Sequence, residues 1–406
     1  MTYRELLQLY KTGQLDEQTR REVEDAIEKQ DAISDYLFEE SKIPLLEEAV
    51  SGEGPEESAD RESDRFVALV QRSIRRAFIK TGVIVGAVVL AVVLCSIFVL
   101  PKAVDMFFYN PNEVVGVDPE AEYLTTERMQ LDLAVYSELY LPGAYRDSLY
   151  AEPEGYGTYS IRIPQTFTFG GRSNTISGKL TRNKLTLYDT NPLTPPVGNA
   201  FVMPAPIPNN NIVVIDGVEQ EDYGPGGSRE DAIAATENLV DGENYLGFVS
   251  LSQIMDYDSF ADWLLNSEAG YNELWCAVAA RDEWDHLIRE NIGFRASASG
   301  YHMDWDKKSY PYLSLLNNDD LTCPEDFDGE LMKQHFLSML QYQKDHPEFS
   351  EMMGRGAGPY ELEKLIEVTE ANPLETYGFA IVAEKETFLD LWEDPMVKYI
   401  YTTPIY

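Results

Sequence analysis

Only three cysteines and four histidines occur in 406 residues, too few and too scattered for the ligand sets that hold a structural zinc ion. No Cys-x-x-Cys pair is present, and His286, His302, His335 and His346 show no metal-ligand spacing to one another. Cys95 falls inside an uncharged run, which leaves Cys276 and Cys323 as the pair able to form one disulfide in an oxidising compartment. Basic residues are scarce as well: 32 Lys and Arg stand against 70 Asp and Glu, a formal net charge of -38. A surface of that sign repels nucleic acid and other polyanions and keeps a chain soluble. There is no Gly-x-Ser-x-Gly elbow, phosphate loop or His-Glu-x-x-His helix, which counts against the common hydrolase and nucleotide-binding classes.

Charge is missing altogether from Thr81 to Leu100. Twenty helical residues span roughly 30 Å, the hydrocarbon thickness of a bilayer. About eighty mostly polar residues precede the run, so it does not read as a signal peptide. Arg72, Arg75, Arg76 and Lys80 crowd its N-terminal flank and only Lys102 lies close on the other side, which predicts a cytoplasmic N-terminus. Phe107, Phe108 and Tyr109 are expected to form an aromatic belt at the far interface. The first eighty residues carry a net charge of about -7 and the region beyond the run about -31.

The remainder organises around this run. Thr2 and Glu5 stand in capping-box register ahead of Tyr3, Leu6, Leu7 and Tyr10, and Gly13 ends that short amphipathic helix. Asp16 is placed to cap a longer helix with Val23, Ala26, Ile27, Ile33 and Leu37 at three- and four-residue steps. So small a helical module, residues 1–50, buries little apolar surface alone, and a partner protein is expected to complete its core. Leu6, Leu7, Tyr10, Val23 and Ile27 are the candidate partner-binding face. Residues 51–63, rich in Gly, Pro, Ser and charge, read as a disordered linker, and 64–80 as a basic juxtamembrane helix.

Beyond the run the expected class is α+β, with 101–240 and 241–406 as two regions. A hairpin is predicted from Tyr156–Thr168 and Asn174–Tyr188, turning at Arg182, Asn183 and Lys184. The Pro- and Asn-rich stretch Asn191–Asn211 is expected to wrap the surface or join subdomains. Ser228 opens a helix through Leu239. Two β-α-β units follow, Tyr245–Ile254 with Ser259–Leu265 and Leu274–Ala280, then Tyr377–Ala383 with Glu386–Trp392 and Val397–Thr402. Each opens with Gly-Phe, at Gly247 and Gly378, and they bracket a helical middle, Gly329–Met352 and Tyr360–Glu370. Together they predict a sheet with helices on one face.

Other chemistry-bearing motifs are weak. Gly354–Gly358, GRGAG, lies between two helices and reads as a connection. Asp326, Asp328 and Glu330 lack the spacing of a calcium loop. Asp304, Asp306, Asp319 and Asp320 have no partner base, and Trp263, Trp275, Trp284, Trp305 and Trp392 are expected mainly to pack. No catalytic, metal or cofactor site is therefore expected. Gly82 and Gly86 form a Gly-x3-Gly pair able to bring two membrane helices close.

The stretch LLQLYKTGQLDEQTRREVEDAIEKQDAISDYLFEE resembles the helical start of bacterial anti-sigma factors. The His-x3-Cys-x2-Cys ligands of the zinc-binding members would fall approximately on Ala26, Gln30 and Ile33, so the resemblance implies a zinc-free variant held by packing. YLGFVSLSQIMDYDSFADWLL and NPLETYGFAIVAEKETFLDLWEDPMVKYIYTTPI are similar to the sigma factor regulator C-terminal domain of membrane-bound anti-sigma factors from Gram-positive bacteria. Tyr377 with Gly378, Thr387–Leu391 and Lys398–Thr402 carry the most specific part. The membrane run and the part through about Tyr159 resemble the matching N-terminal regulator domain. The resemblance implies sequestration of an extracytoplasmic-function sigma factor at the membrane, with the acidic ectodomain sensing the envelope directly or through a membrane or extracellular partner. The alternative from the residues alone is a membrane-anchored extracellular binding protein for wall polymer or peptide, with no sigma partner.

Overall fold

In the computed structural model the described residues are 10, 16–40, 59–118, 124–166, 173–188, 200–208, 213–220, 223–267, 274–298, 300–315 and 326–405. They fall into two compact units, Met1–Val88 and Val89–Tyr406.

In the first unit, Asp16 caps α1 (Glu17–Glu40) as expected: its carboxylate accepts from the backbone N–H groups of Gln18 and Thr19 at 3.1 and 2.9 Å. Helix α2 (Ala59–Leu94) begins inside the stretch expected as linker, so residues 59–63 are helical; 51–58 lie outside the described residues. The helix runs on through a π-helical turn, Cys95–Val99, into α3 (Leu100–Asp105). Arg75–Asp105 is one helical stretch long and apolar enough to cross a membrane, and its most apolar window is not buried at all.

The second unit opens with β1 (Val114–Val117) paired to β2 (Thr125–Glu127), followed by α4 (Arg128–Tyr140). Next comes a four-stranded antiparallel sheet, β3 (Tyr150–Gly155), β4 (Thr158–Pro164), β5 (Thr175–Thr181) and β6 (Lys184–Leu187), in that order. The predicted hairpin is thus part of a meander. Its β5–β6 turn is the expected one, with Arg182 and Asn183 both left-handed at φ 49° and 64°. A small hairpin, β7 (Val213–Ile215) and β8 (Val218–Gln220), precedes α5 (Arg229–Glu237), whose Ser228 and Asp231 form a capping box.

The main sheet comprises β9 (Asn244–Asp256), β10 (Trp275–Val278), β11 (Gly293–Arg295), β12 (Glu375–Glu384) and β13 (Val397–Pro404). Helix α6 (Tyr257–Leu265) follows β9, α7 (Gly329–Asp345), α8 (Glu348–Met353) and α9 (Pro359–Ala371) form the helical middle, and α10 (Lys385–Glu393) joins β12 to β13. Strand order is β11-β10-β12-β9-β13 with every neighbouring pair antiparallel. The two predicted β-α-β units are therefore interleaved: β12 inserts between β9 and β10, and β9 between β12 and β13. This is a double split β-α-β arrangement.

Each of the two Gly-Phe pairs has a steric reason. A Cβ on Gly247 would lie 2.1 Å from the Phe388 ring on α10, and one on Gly378 would lie 2.7 Å from the Phe201 ring. Phe260 of α6 packs on Phe379 at 5.4 Å, so α6 and α10 cover one sheet face. The other face is closed by residues 200–207, where Phe201 contacts Phe248, Trp275 and Tyr377 with ring centroids 5.4 to 6.4 Å apart. Of the Pro-rich stretch, expected to wrap the surface or join subdomains, the described residues 200–204 and 207 are buried against this face, which their apolar side chains shield from water, while 205, 206 and 208 are exposed. One core spans the boundary expected near residue 240, since α4 and β4 contribute to the same cluster as β9, α7 and β12.

Candidate functional site

Of the expected partner-binding residues, Leu6 and Leu7 lie outside the described residues, and so does the side chain of Ile27, which falls on α1. Tyr10 donates its hydroxyl to Glu24 at 3.1 Å, and Glu24 also pairs with Arg20 at 3.0 Å. Those hydrogen bonds from Arg20 and Tyr10 hold the Glu24 carboxyl below the usual range. Val23, one position away, is 3 % exposed. It is therefore covered within the chain itself, an inward anchor of the module and not part of an open face.

Gly82 and Gly86 stand one turn apart on α2, both exposed, and a Cβ on either would meet no atom within 4 Å. The Gly-x3-Gly surface is open along its length.

At the C-terminal end of the helical run the second unit grips the helix. The π-helical turn is bracketed by two oxygen contacts: Ser96 Oγ donates to the Val92 carbonyl at 2.8 Å, and Tyr156 Oη donates to the Ser96 carbonyl at 2.6 Å. The N–H of Gly157 donates to Asp105, and the N–H of Tyr109 donates to Asn183 at 2.7 Å. Arg182 lies over Phe108, its guanidinium 6.0 Å from the ring centroid. The expected aromatic belt is thereby dispersed: Phe107 is exposed, Phe108 half-buried and Tyr109 buried. Tyr109 turns inward because its hydroxyl has an acceptor in Asp132.

That acceptor belongs to a buried polar cluster on α4. Asp132 accepts from Tyr109 at 2.5 Å and from Tyr342 of α7 at 2.6 Å, with Arg128 Nε 4.0 Å away. Burial pushes the Asp132 carboxyl up to about 6, although the two phenols and Arg128 favour its charged form. Six positions on, Glu138 Oε1 accepts from the Arg295 N–H on edge strand β11 at 3.0 Å and faces His335 Nε2 at 2.9 Å, while His335 Nδ1 donates to the Tyr312 carbonyl at 2.6 Å. Trp275 Nε1 donates to the Glu138 carbonyl at 2.6 Å. Helix α4 thus closes the β11 edge and ties it to the helical middle.

A cleft of about 340 Å³ opens between the end of β10 and the turn from α9 into β12. Arg281 bridges Asp285 and Glu375 there at 2.8 and 2.7 Å, and Asp282 and Glu283 keep the lining acidic. Among the described residues that line it, none is a nucleophile with an adjacent base. Among the described residues no group of three or more His, Cys, Asp or Glu is placed to hold a metal ion. Asp328 caps α7, Gly354 ends α8 with φ 69°, and Gly358 precedes α9. Cys276 is a buried free thiol, and Cys323 lies outside the described residues. Trp275, Trp305 and Trp392 are buried and Trp284 is 68 % exposed.

Comparison of the chain with protein-family models, with curated proteins and with solved structures finds no match.

Proposed function

We propose that this chain is a transmembrane anti-sigma factor, a regulator and not an enzyme, that holds an extracytoplasmic-function sigma factor at the membrane and releases it when envelope conditions change. Its N-terminus is cytoplasmic, following the basic flank Arg72, Arg75, Arg76 and Lys80, and its α+β unit is extracytoplasmic. The reading is supported chiefly by one arrangement. A single apolar helix, unburied along its membrane-length stretch, joins a short N-terminal helical module to a large folded unit. The sequence resemblance supplies the partner class. Signalling then requires that the ectodomain bias two states of the module with different affinity for that partner.

The test is co-purification of the detergent-solubilised full-length chain from host cells, with bound proteins identified by mass spectrometry. A sigma factor in stoichiometric amount is the expected result. Its absence, with the chain intact and folded, defeats the reading.

A further inference from the structure

We propose that the end of the β3–β6 sheet carrying the turns at Gly155–Gly157 and Arg182–Asn183 rests on the anionic phosphate layer of the membrane leaflet on the ectodomain's side; this rests on the reading that the helix spans a bilayer. The height of that end is fixed by contacts along the helix. Tyr156 bonds the Ser96 carbonyl, Gly155 abuts Pro101 and Gly157 packs on Phe108 while bonding Asp105. The backbone of the β3–β4 turn therefore lies beside Pro101–Asp105, with the Tyr156 hydroxyl reaching down to Ser96.

Such a turn cannot sit in hydrocarbon. Gly155, Tyr156 and Gly157 are all left-handed, with φ 86°, 58° and 71°, and the exposed cations beside them, Lys102, Arg182 and Lys184, are costly to desolvate among lipid tails. The hydrocarbon therefore ends near Leu100, where the uncharged run ends, and the turn lies just beyond it. About twenty residues back from there lies Thr81, so Lys80 falls at the opposite interface.

Charge agrees with that placement. Lys102, Arg182 and Lys184 are exposed at this end, and none makes an ion pair among the described residues, in a chain of net charge -38. Lys102 stands two residues past Leu100, about 3 Å along the axis, within reach of a phosphate layer. Of the nearby acids Glu154 is paired with Lys179 at 2.7 Å, while Asp105, which accepts from Gly157, and Glu152 keep their charge, so the cations exceed the unpaired acids by one at this end. Each cation near an anionic surface favours the docked state by about fivefold.

The full-length protein in nanodiscs of phosphatidylcholine, with and without phosphatidylglycerol, tests this using lipids that carry a nitroxide quencher in the headgroup or deep in the acyl chain. The added tryptophan of Tyr156→Trp, measured against wild type, is expected to be quenched by the headgroup label and not by the deep label. Arg182→Glu with Lys184→Glu is expected to reduce that quenching in phosphatidylglycerol discs. In unsubstituted protein, amide exchange at residues 155–158 and 182–184 should be slower in phosphatidylglycerol discs than in phosphatidylcholine discs, a readout independent of variant folding. Leu90→Trp reports the span itself by deep-label quenching. If Leu90→Trp is quenched while Tyr156→Trp is quenched by neither label and exchange is unaltered, the docking is wrong and the span stands. If Leu90→Trp escapes the deep label, both fall.

Discussion

Tyr342 on α7 donates its hydroxyl to Asp132 on α4 at 2.6 Å, a bond between residues 210 positions apart. The second oxygen of Asp132 holds Tyr109, four residues past the end of α3. One buried carboxylate thus ties the chain emerging from the long helix to the helical middle of the α+β unit. Unlike a surface contact, the bond is made where an unpartnered group costs most.

Stability of the α+β unit should therefore depend on the protonation of Asp132. Its folded-state value, about 6, lies above the unfolded value of 3.8, so the folded state binds the proton more tightly. The contribution is complete below about pH 4 and is lost as pH rises through about 6, at most about 3 kcal/mol. Asp147 and Glu127 are shifted the same way by burial, so the measurement is the difference between wild type and Asp132→Asn. Urea unfolding from pH 4 to 7 should show wild type losing stability relative to the variant. A constant difference across that range would remove Asp132 as a titrating group.

The ring of Phe388 fills the space where a side chain on Gly247 would begin. Gly247→Ala should cost about 1–3 kcal/mol through overpacking. Phe388→Leu in the same chain should recover part of that loss, because the shorter side chain gives way. Additive losses in a double-mutant cycle would show that the two sites do not share this space.

Phe201 stands between Phe248, Trp275 and Tyr377 and is fully buried. Phe201→Ala should destabilise the α+β unit by about 3–5 kcal/mol. The tryptophan emission transition should move to lower denaturant accordingly. A loss below about 1 kcal/mol would mean that residues 200–207 do not close this face.

These relationships were unequally legible in the sequence. The β9 and β12 strands are, because each carries a continuous buried run, Gly247–Leu251 and Thr376–Ala383, and β13 is by its β-branched and aromatic residues. The pairing order was not, since interleaving depends on which strands meet in space. Helix α4 is not legible for a physical reason: eleven of its thirteen residues are buried, Asp132 and Glu138 among them, so it has no polar face to reveal helical periodicity. The buried carboxylates read as exposure until Tyr109, Tyr342 and Arg295 are placed beside them. Strand β3 was hidden by Pro153 and by alternating acids, features of an edge strand. In the N-terminal module the spacing of Val23 indicated burial, but not that the chain itself supplies the cover.

The remaining prediction concerns that module. Tyr10 and Arg20 both bind Glu24, stitching the first turns of α1 to the segment before it, and Val23 is already covered inside. If the module captures a sigma factor, the contact must be made by apolar residues other than Val23, and Leu7 and Ile27 are the candidates from spacing. Leu7→Asp with Ile27→Asp should weaken capture by roughly a hundredfold, because each carboxylate would have to be desolvated in the contact. Val23→Asp should act differently, lowering the helicity of the module itself. Transcription from the sigma factor's promoters is expected to rise in both, but circular dichroism of the full chain should change only for Val23→Asp. Unchanged transcription with Leu7→Asp and Ile27→Asp at wild-type protein levels would exclude these two residues as the docking face, since a buried apolar contact does not tolerate two unpaired charges.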